Sequence, residues 1–276
     1  MPRFSFGSTD KFRHGSDRYV EDGRFLDLKK LNLNNNYFDT TQVREAISYQ
    51  AYRDASVPAA RTAFARVYLT IADRAEKISQ TEDEIKGVYL GLYTIVEQQD
   101  VDALERHTGE TGVLLKPEKQ VLPYLGDHWD ARYEEFYQPR TKVGSAAGKI
   151  VVDLARLQDD YRQGWYRDGD AKDPTTMKNN QQNFQRRLES VLDIDNLLRY
   201  LAVTTLIGNG DSPLLMFPHN YYLAIPEKSR RVLWLPWDLN NSIGGMGQYF
   251  GVPFEELSIY HGSNMPLLVR ILQVPA

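Results

Sequence analysis

Five side chains in this sequence have the types and positions needed for chemistry. Asp211 follows Gly208-Asn209-Gly210 at the end of a long apolar run, Asn220 opens a second run, and Asp238 closes a third in Pro-Trp-Asp-Leu-Asn-Asn. Lys116 ends Val113-Leu114-Leu115, and Glu97 ends Leu92-Tyr93-Thr94-Ile95-Val96. Phosphoryl transfer requires a carboxylate near the nucleophile, positive charge on the phosphates and oxygen ligands for a divalent metal. An aspartate just past an apolar strand suits a metal, because the strand fixes its backbone while the loop leaves its oxygens accessible.

Each of these residues also has a plainer reading. Asp-Leu-Asn-Asn-Ser is good turn chemistry in its own right. The glycines before Asp211 are ordinary helix C-caps. Asn220 opens a strand, where asparagine is disfavoured, and so calls for a specific hydrogen bond or ligand. Lys116 is either solvated or turned inward. If inward it needs an anion, either a phosphate or the carboxylate of Glu97 on a neighbouring strand. Asp211 and Asp238 could also serve as a glycosidase pair, although no sugar-binding aromatics are specified around them.

Other chemistries find less support. Gly144-Ser145-Ala146-Ala147-Gly148-Lys149 resembles a phosphate loop, but three residues separate its glycines where four are needed, and Ile150 replaces the required Ser or Thr. The five histidines (His14, His107, His128, His219 and His261) form no HExxH or HxH pair, which argues against a zinc hydrolase. A lone histidine such as His219 is more often a hydrogen bonder than a ligand. No GxSxG nucleophile motif occurs.

Composition sets wider bounds. The 276 residues are 42% hydrophobic and 12% aromatic, enough for a sizeable core in one large domain or two lobes. A net charge of -4 argues against a nucleic-acid partner. The absence of cysteine excludes disulfides, zinc-thiolate sites and thiol catalysis. No apolar run approaches the roughly 18 residues of a membrane span. The first residues lack the apolar core of a signal peptide.

The elements that must position the chemical residues follow from periodicity. Residues 24–33 alternate as a short strand. A helix capped by Thr40 or Thr41 runs to about Asp54, with Val43, Ile47 and Ala51 on one face, and Val57-Pro58 ends it. Strands are expected over 64–71 and 87–97, separated by a solvated loop, followed by a helix near 100–106 and a third strand over 112–116. These would form a small mixed lobe of antiparallel sheet and one main helix. Residues 117–148 show little periodicity. Helices follow near 149–158, 176–191 and 194–207, the last capped by Asp193, and then a hairpin over 220–225 and 231–235.

Taken in order, these motifs resemble the CotH family, the spore coat protein H type of atypical protein kinases. The resemblance runs from about Leu31 to the C-terminus. It rests on Val43-Arg44-Glu45 with Ala51-Tyr52-Arg53-Asp54, Val57-Pro58-Ala59-Ala60-Arg61-Thr62, Gly87 to Tyr93 leading to Val96-Glu97-Gln98, and Leu115-Lys116-Pro117. It continues through Leu198-Arg199-Tyr200-Leu201-Ala202, Gly208-Asn209-Gly210-Asp211, His219-Asn220-Tyr221-Tyr222-Leu223 and Pro236-Trp237-Asp238. Each is weak alone; eight in order are specific.

The resemblance implies an α+β, reduced protein-kinase-like fold of two lobes: an antiparallel-sheet N-lobe over 1–118 and a mainly helical C-lobe over 119–276. It implies ATP, with Mg²⁺ or Mn²⁺, and transfer of phosphate to Ser or Thr of a protein substrate at a bacterial surface, outside the cell or in a spore coat. On this reading Asp211 orients the acceptor hydroxyl, Asn220 and Asp238 bind metal, and Lys116 contacts phosphate. Glu97 as the partner of Lys116 is a geometric expectation. Asn240 stands where many relatives carry a second acidic residue, so the metal set carries less charge. A catalytically inactive binding module, a pseudokinase or surface adhesin, is the alternative. The apolar segment 266–272 needs burial, and a chain stopping soon afterwards is expected to be part of a longer protein.

Overall fold

A computed structural model of the chain describes residues 3–5, 12–14, 18–20, 28, 30–69, 88–119, 121–162, 174–213, 219–245, 253, 256 and 266–273. The fold is α+β, with antiparallel sheets and seven helices among the described residues. A four-stranded sheet runs in the order β1 (Arg3–Ser5), β4 (Lys30–Asn34), β6 (Val88–Glu97) and β5 (Thr62–Leu69). A short ribbon pairs β2 (Phe12–His14) with β3 (Arg18–Val20). A three-stranded sheet is built from β7 (Gly112–Leu115), β8 (Tyr221–Pro226) and β9 (Leu233–Pro236). The expected strand 24–33 appears as β4, one residue beyond its predicted end; positions 24–27 and 29 lie outside the described residues. The expected loop between β5 and β6 also lies outside them.

One strand changes partners relative to expectation. β7 was expected in the first lobe, yet it pairs with β8, with Leu115 opposite Leu223 and Gly112 opposite Pro226. Composition explains this: Tyr221 to Pro226 are all buried, which requires neighbours on both edges and both faces. Gly112 permits the close approach, since a Cβ there would collide with the Ile225 carbonyl. On the other edge Tyr221 pairs with Pro236, and its ring stacks on Trp234 at 5.1 Å.

The helical part packs on this small sheet. α3 (Ala131–Tyr137), α4 (Ser145–Arg162), α5 (Pro174–Val191) and α6 (Ile194–Leu206) follow in order. α3 was not legible in the aperiodic stretch; its buried Tyr133 and Tyr137 stack with Trp129 in an aromatic cluster. Asp193 caps α6 as expected, accepting from the Asn196 N–H at 3.0 Å. α7 (Pro266–Gln273) buries Leu267 and Leu268 in the common core and packs against α4.

α1 (Arg44–Asp54) corrects a second expectation. Val43 and Ile47, read as one side of an apolar face, are exposed, Ile47 by 53%. The buried face consists of Glu45, Ser48, Tyr49 and Tyr52. Nor does Thr40 or Thr41 cap this helix directly. Asp39 does so, accepting from the N–H groups of Thr41 at 2.9 Å and Arg44 at 2.8 Å. A mostly polar face can be buried only if its groups find hydrogen bonds. Glu45 and Tyr52 find theirs in Asn34 of β4 and Thr204 of α6, and Ser48 and Tyr49 in the loop that carries Asp238.

Candidate functional site

Two loops and one strand end bring the chemical residues together. α6 stops where Gly208 takes φ +54, and the Asn209 N–H returns to the Thr204 carbonyl at 3.0 Å. That turn delivers Asp211. Its Oδ1 lies 2.6 Å from His219 Nε2, and its Oδ2 accepts from Asn241 Nδ2 at 3.0 Å. Asn220 donates from Nδ2 to the Asp211 carbonyl at 3.2 Å and takes the Trp237 N–H on its own carbonyl. The hydrogen bond expected for a strand-opening asparagine is therefore present.

Asn220 and Asp238 both adopt left-handed backbone, at φ +63 and +53. Such conformations cost energy in residues other than glycine and cluster at functional sites. Asp238 lies just past β9, partly buried, and its buried Oδ1 has no hydrogen-bond partner. Burial pushes its carboxyl up to about 6; Asp211 adds to the rise, while Lys116 and His219 oppose it. Asp211, Lys116 and His219 therefore all act electrostatically on Asp238. The Asn240 Oδ1 is likewise buried without a donor.

Lys116 turns inward, but its anion is not Glu97. It forms an ion pair with Glu118, and its ammonium lies over the Tyr222 ring at 5.7 Å from the centroid. Its backbone N–H is held by the carbonyls at the end of α3, Tyr137 at 3.0 Å and Gln138 at 3.2 Å. Glu97 belongs to a different cluster. Arg61 and Arg106 bind its carboxylate, and His107 Nε2 stands 3.6 Å away. Burial acts to raise the Glu97 carboxyl, but His107 and Arg61 outweigh it and hold the group at about 2. Glu97 does end β6, but β6 and β7 lie in different sheets, and Arg61 and Arg106 supply its counter-charge.

The profile described as CotH kinase protein matches residues 2–276. The chain belongs to the CotH kinase family. No curated protein matches it. The family name suggests kinase activity, which would imply ATP with a divalent cation. Among the described residues no helix is long and apolar enough to cross a membrane.

Within this CotH family chain no three acidic or histidine side chains among the described residues form a ready-made metal group. The donor chemistry nonetheless fits a hard cation. Asp238 and Asn240, two positions apart, each keep a buried side-chain oxygen with no protein donor to satisfy it, and oxygen ligands are what Mg²⁺ and Mn²⁺ prefer. Both ions normally retain water or substrate oxygens, so a full protein cage is not required.

Several site residues were not legible as such in the sequence. His219, read as a hydrogen bonder beside Asn220, binds Asp211, a partner the sequence did not name. Asn241 completes the Asp211 carboxylate. Glu45 and Tyr49 reach the Asp238 loop from α1. Burial raises the Glu45 carboxyl to about 8; Asn34 opposes the rise, Asp238 adds to it, and the Leu239 N–H opposes it. Asn34 Nδ2 approaches both of its oxygens at 2.8 Å. A signal for α1 was available: Glu45, Ser48, Tyr49 and Tyr52 recur at helical spacing.

Proposed function

We propose that this CotH family chain transfers the γ-phosphate of ATP to Ser or Thr hydroxyls of a protein. The observation that carries the reading is the Asp238 carboxyl, with one oxygen buried and unpartnered and both Asp211 and Lys116 within electrostatic reach. Asp238 with Asn240 and Asn220 would hold the metal, and Lys116 would bind the phosphates. A bound divalent cation neutralises phosphate charge and orients the triphosphate.

Asp211 acts on the acceptor. Its carboxylate, oriented by His219 and Asn241, positions the incoming hydroxyl and receives its proton. The acceptor oxygen then bonds to the γ-phosphorus as the bond to the bridging oxygen of the leaving ADP breaks. Lys116 must exchange Glu118 for phosphate oxygens to contribute.

The same reading gives the chain a reduced, two-lobed, protein-kinase-like architecture. Residues 1–118 form the N-lobe and 119–276 the C-lobe, with β7 crossing to the C-terminal sheet. Its protein substrate belongs to a bacterial surface, a secreted assembly or a spore coat, as the family resemblance implies.

The test is radiolabelled γ-phosphate transfer, with a generic acceptor or autophosphorylation as readout, alongside nucleotide affinity. Asp238→Ala is expected to lose metal-dependent nucleotide binding and turnover together. Asp211→Asn is expected to bind nucleotide and lose transfer. Full transfer by Asp211→Asn would remove Asp211 from its role. Wild type that neither binds nor transfers with Mg²⁺ or Mn²⁺ would favour an inactive binding module.

A further inference from the structure

α1 grips the 238–243 loop at three points. Arg44 Nε donates to the Ile243 carbonyl at 3.2 Å, and the hydroxyls of Ser48 and Ser242 lie 2.5 Å apart. The third contact reaches the site itself: the Asp238 N–H donates to Tyr49 Oη at 3.1 Å. Residues 44 and 48 are one helical turn apart, and Tyr49 follows on the same side, so the loop lies along the helix.

Tyr49 differs from the other two contacts in what it holds. Asp238 has left-handed backbone, a conformation that an aspartate does not keep without outside support. A buried N–H without an acceptor would add the cost of an unmade hydrogen bond. The Tyr49 phenol, 0% exposed, removes that cost in this one conformation. Its position is fixed from both sides, because Ser48 ties the helix to the loop and Tyr52 bonds Thr204 in α6 at 2.6 Å.

We propose that Tyr49 is the positioning residue of Asp238. Its phenol oxygen accepts the Asp238 backbone N–H and holds that aspartate in the left-handed turn that sets its carboxyl beside Asp211 and Lys116. Tyr49 touches neither nucleotide nor metal. It acts through the Asp238 backbone, and the inference rests on the metal-binding role proposed for Asp238.

Tyr49→Phe in the full chain tests this, because it keeps the ring and removes the acceptor. Tyr137→Phe is the matched control: it also loses a buried hydroxyl, one that donates to the Pro123 carbonyl at 3.3 Å in α3. Two quantities are read: hydrogen exchange at the Asp238 amide, and Mn²⁺ affinity by paramagnetic resonance with a non-hydrolysable ATP analogue present. Tyr49→Phe is expected to speed amide exchange and to weaken Mn²⁺ about tenfold, the scale of one lost hydrogen bond. Tyr137→Phe is expected to change neither. A merely structural Tyr49 would lower stability while leaving both quantities equal to the control, and that result overturns the proposal. Faster exchange with unchanged Mn²⁺ affinity also overturns it. Should Tyr49→Phe fail to fold, the wild type decides: an unprotected Asp238 amide there is fatal to the idea. Wild type that takes up no Mn²⁺ with nucleotide defeats the kinase reading instead, and the exchange comparison still judges the Tyr49 contact.

Discussion

The imidazole of His219 and the carboxylate of Asp211 meet at 2.6 Å, with Asn241 on the opposite oxygen at 3.0 Å. A carboxylate held from both ends cannot rotate freely, and a base that must face an incoming hydroxyl gains from that restraint. His219→Ala is expected to lower kcat about tenfold to a hundredfold, the scale of a lost charge-assisted hydrogen bond, with KM for nucleotide nearly unchanged. His219→Gln keeps a donor and should recover part of the loss. Initial rates over a nucleotide series separate the two parameters.

Lys116 and Glu118 give opposing predictions. Lys116→Met removes the cation expected to meet the phosphates, and nucleotide affinity should fall about tenfold to a hundredfold. Glu118→Gln removes the carboxylate that phosphate must displace, and affinity should rise. Calorimetric titration with an ATP analogue and Mg²⁺ measures both. Unchanged binding in Lys116→Met would make Lys116 a structural partner of Glu118 alone.

Glu45 makes stability fall as pH rises. Its folded-state carboxyl is raised to about 8 from an ordinary value of 4.5, so the folded chain keeps a proton that the unfolded chain has released. The contribution is complete below the ordinary value and is lost as pH climbs through the folded one. The slope inside that window approaches about 1.4 kcal/mol per pH unit. Glu45→Gln should flatten the curve between pH 5 and 8 in denaturant melts, on the order of the window given by the two values. An unchanged slope would place the titration elsewhere.

Glu97 works in the opposite sense. Held at about 2, its carboxyl contributes stability above the ordinary value of 4.5 and loses it as pH falls from there toward 2. Glu97→Gln should cost about 2 kcal/mol at neutral pH, because Arg61 is half exposed and regains water when the pair is broken. It should also reduce acid sensitivity and leave nucleotide affinity intact. A specific loss of nucleotide binding in a folded Glu97→Gln protein would return Glu97 to the site.

What could be read from the sequence was local. The Asp193 cap, the α6 stripe, the glycine stop before Asp211 and the hairpin around residue 226 all follow from contacts a few residues apart, and they put Asp211, Asn220 and Asp238 at the ends of their elements. What could not be read depended on distant partners. β7 was assigned to the wrong sheet because its ladder with β8 spans more than a hundred positions of chain. Glu97 was given to Lys116 because nothing local reveals that Arg61 and Arg106 converge on it. α1 was turned the wrong way because Val43 and Ile47 look like a core face. The burial of Glu45, Ser48 and Tyr49 makes sense only once the 238–243 loop lies against them.

The β7–β8–β9 ladder has a mechanical consequence. Lys116 leaves the end of one outer strand and Asp238 the end of the other, with Leu115–Leu223 and Tyr221–Pro236 as the nearest rungs. The spacing between the strand ends that lead to Lys116 and Asp238 is thus set by backbone register, in steps of about 3.3 Å. Bending of the four-stranded sheet would carry neither residue relative to the other. A slip of one rung would turn Lys116 to the opposite face and dismantle the pair outright. The distance between the two strand ends can therefore be kept or lost, but not finely adjusted. Any tuning of the site must come from α1 and from the loop that carries Asp211.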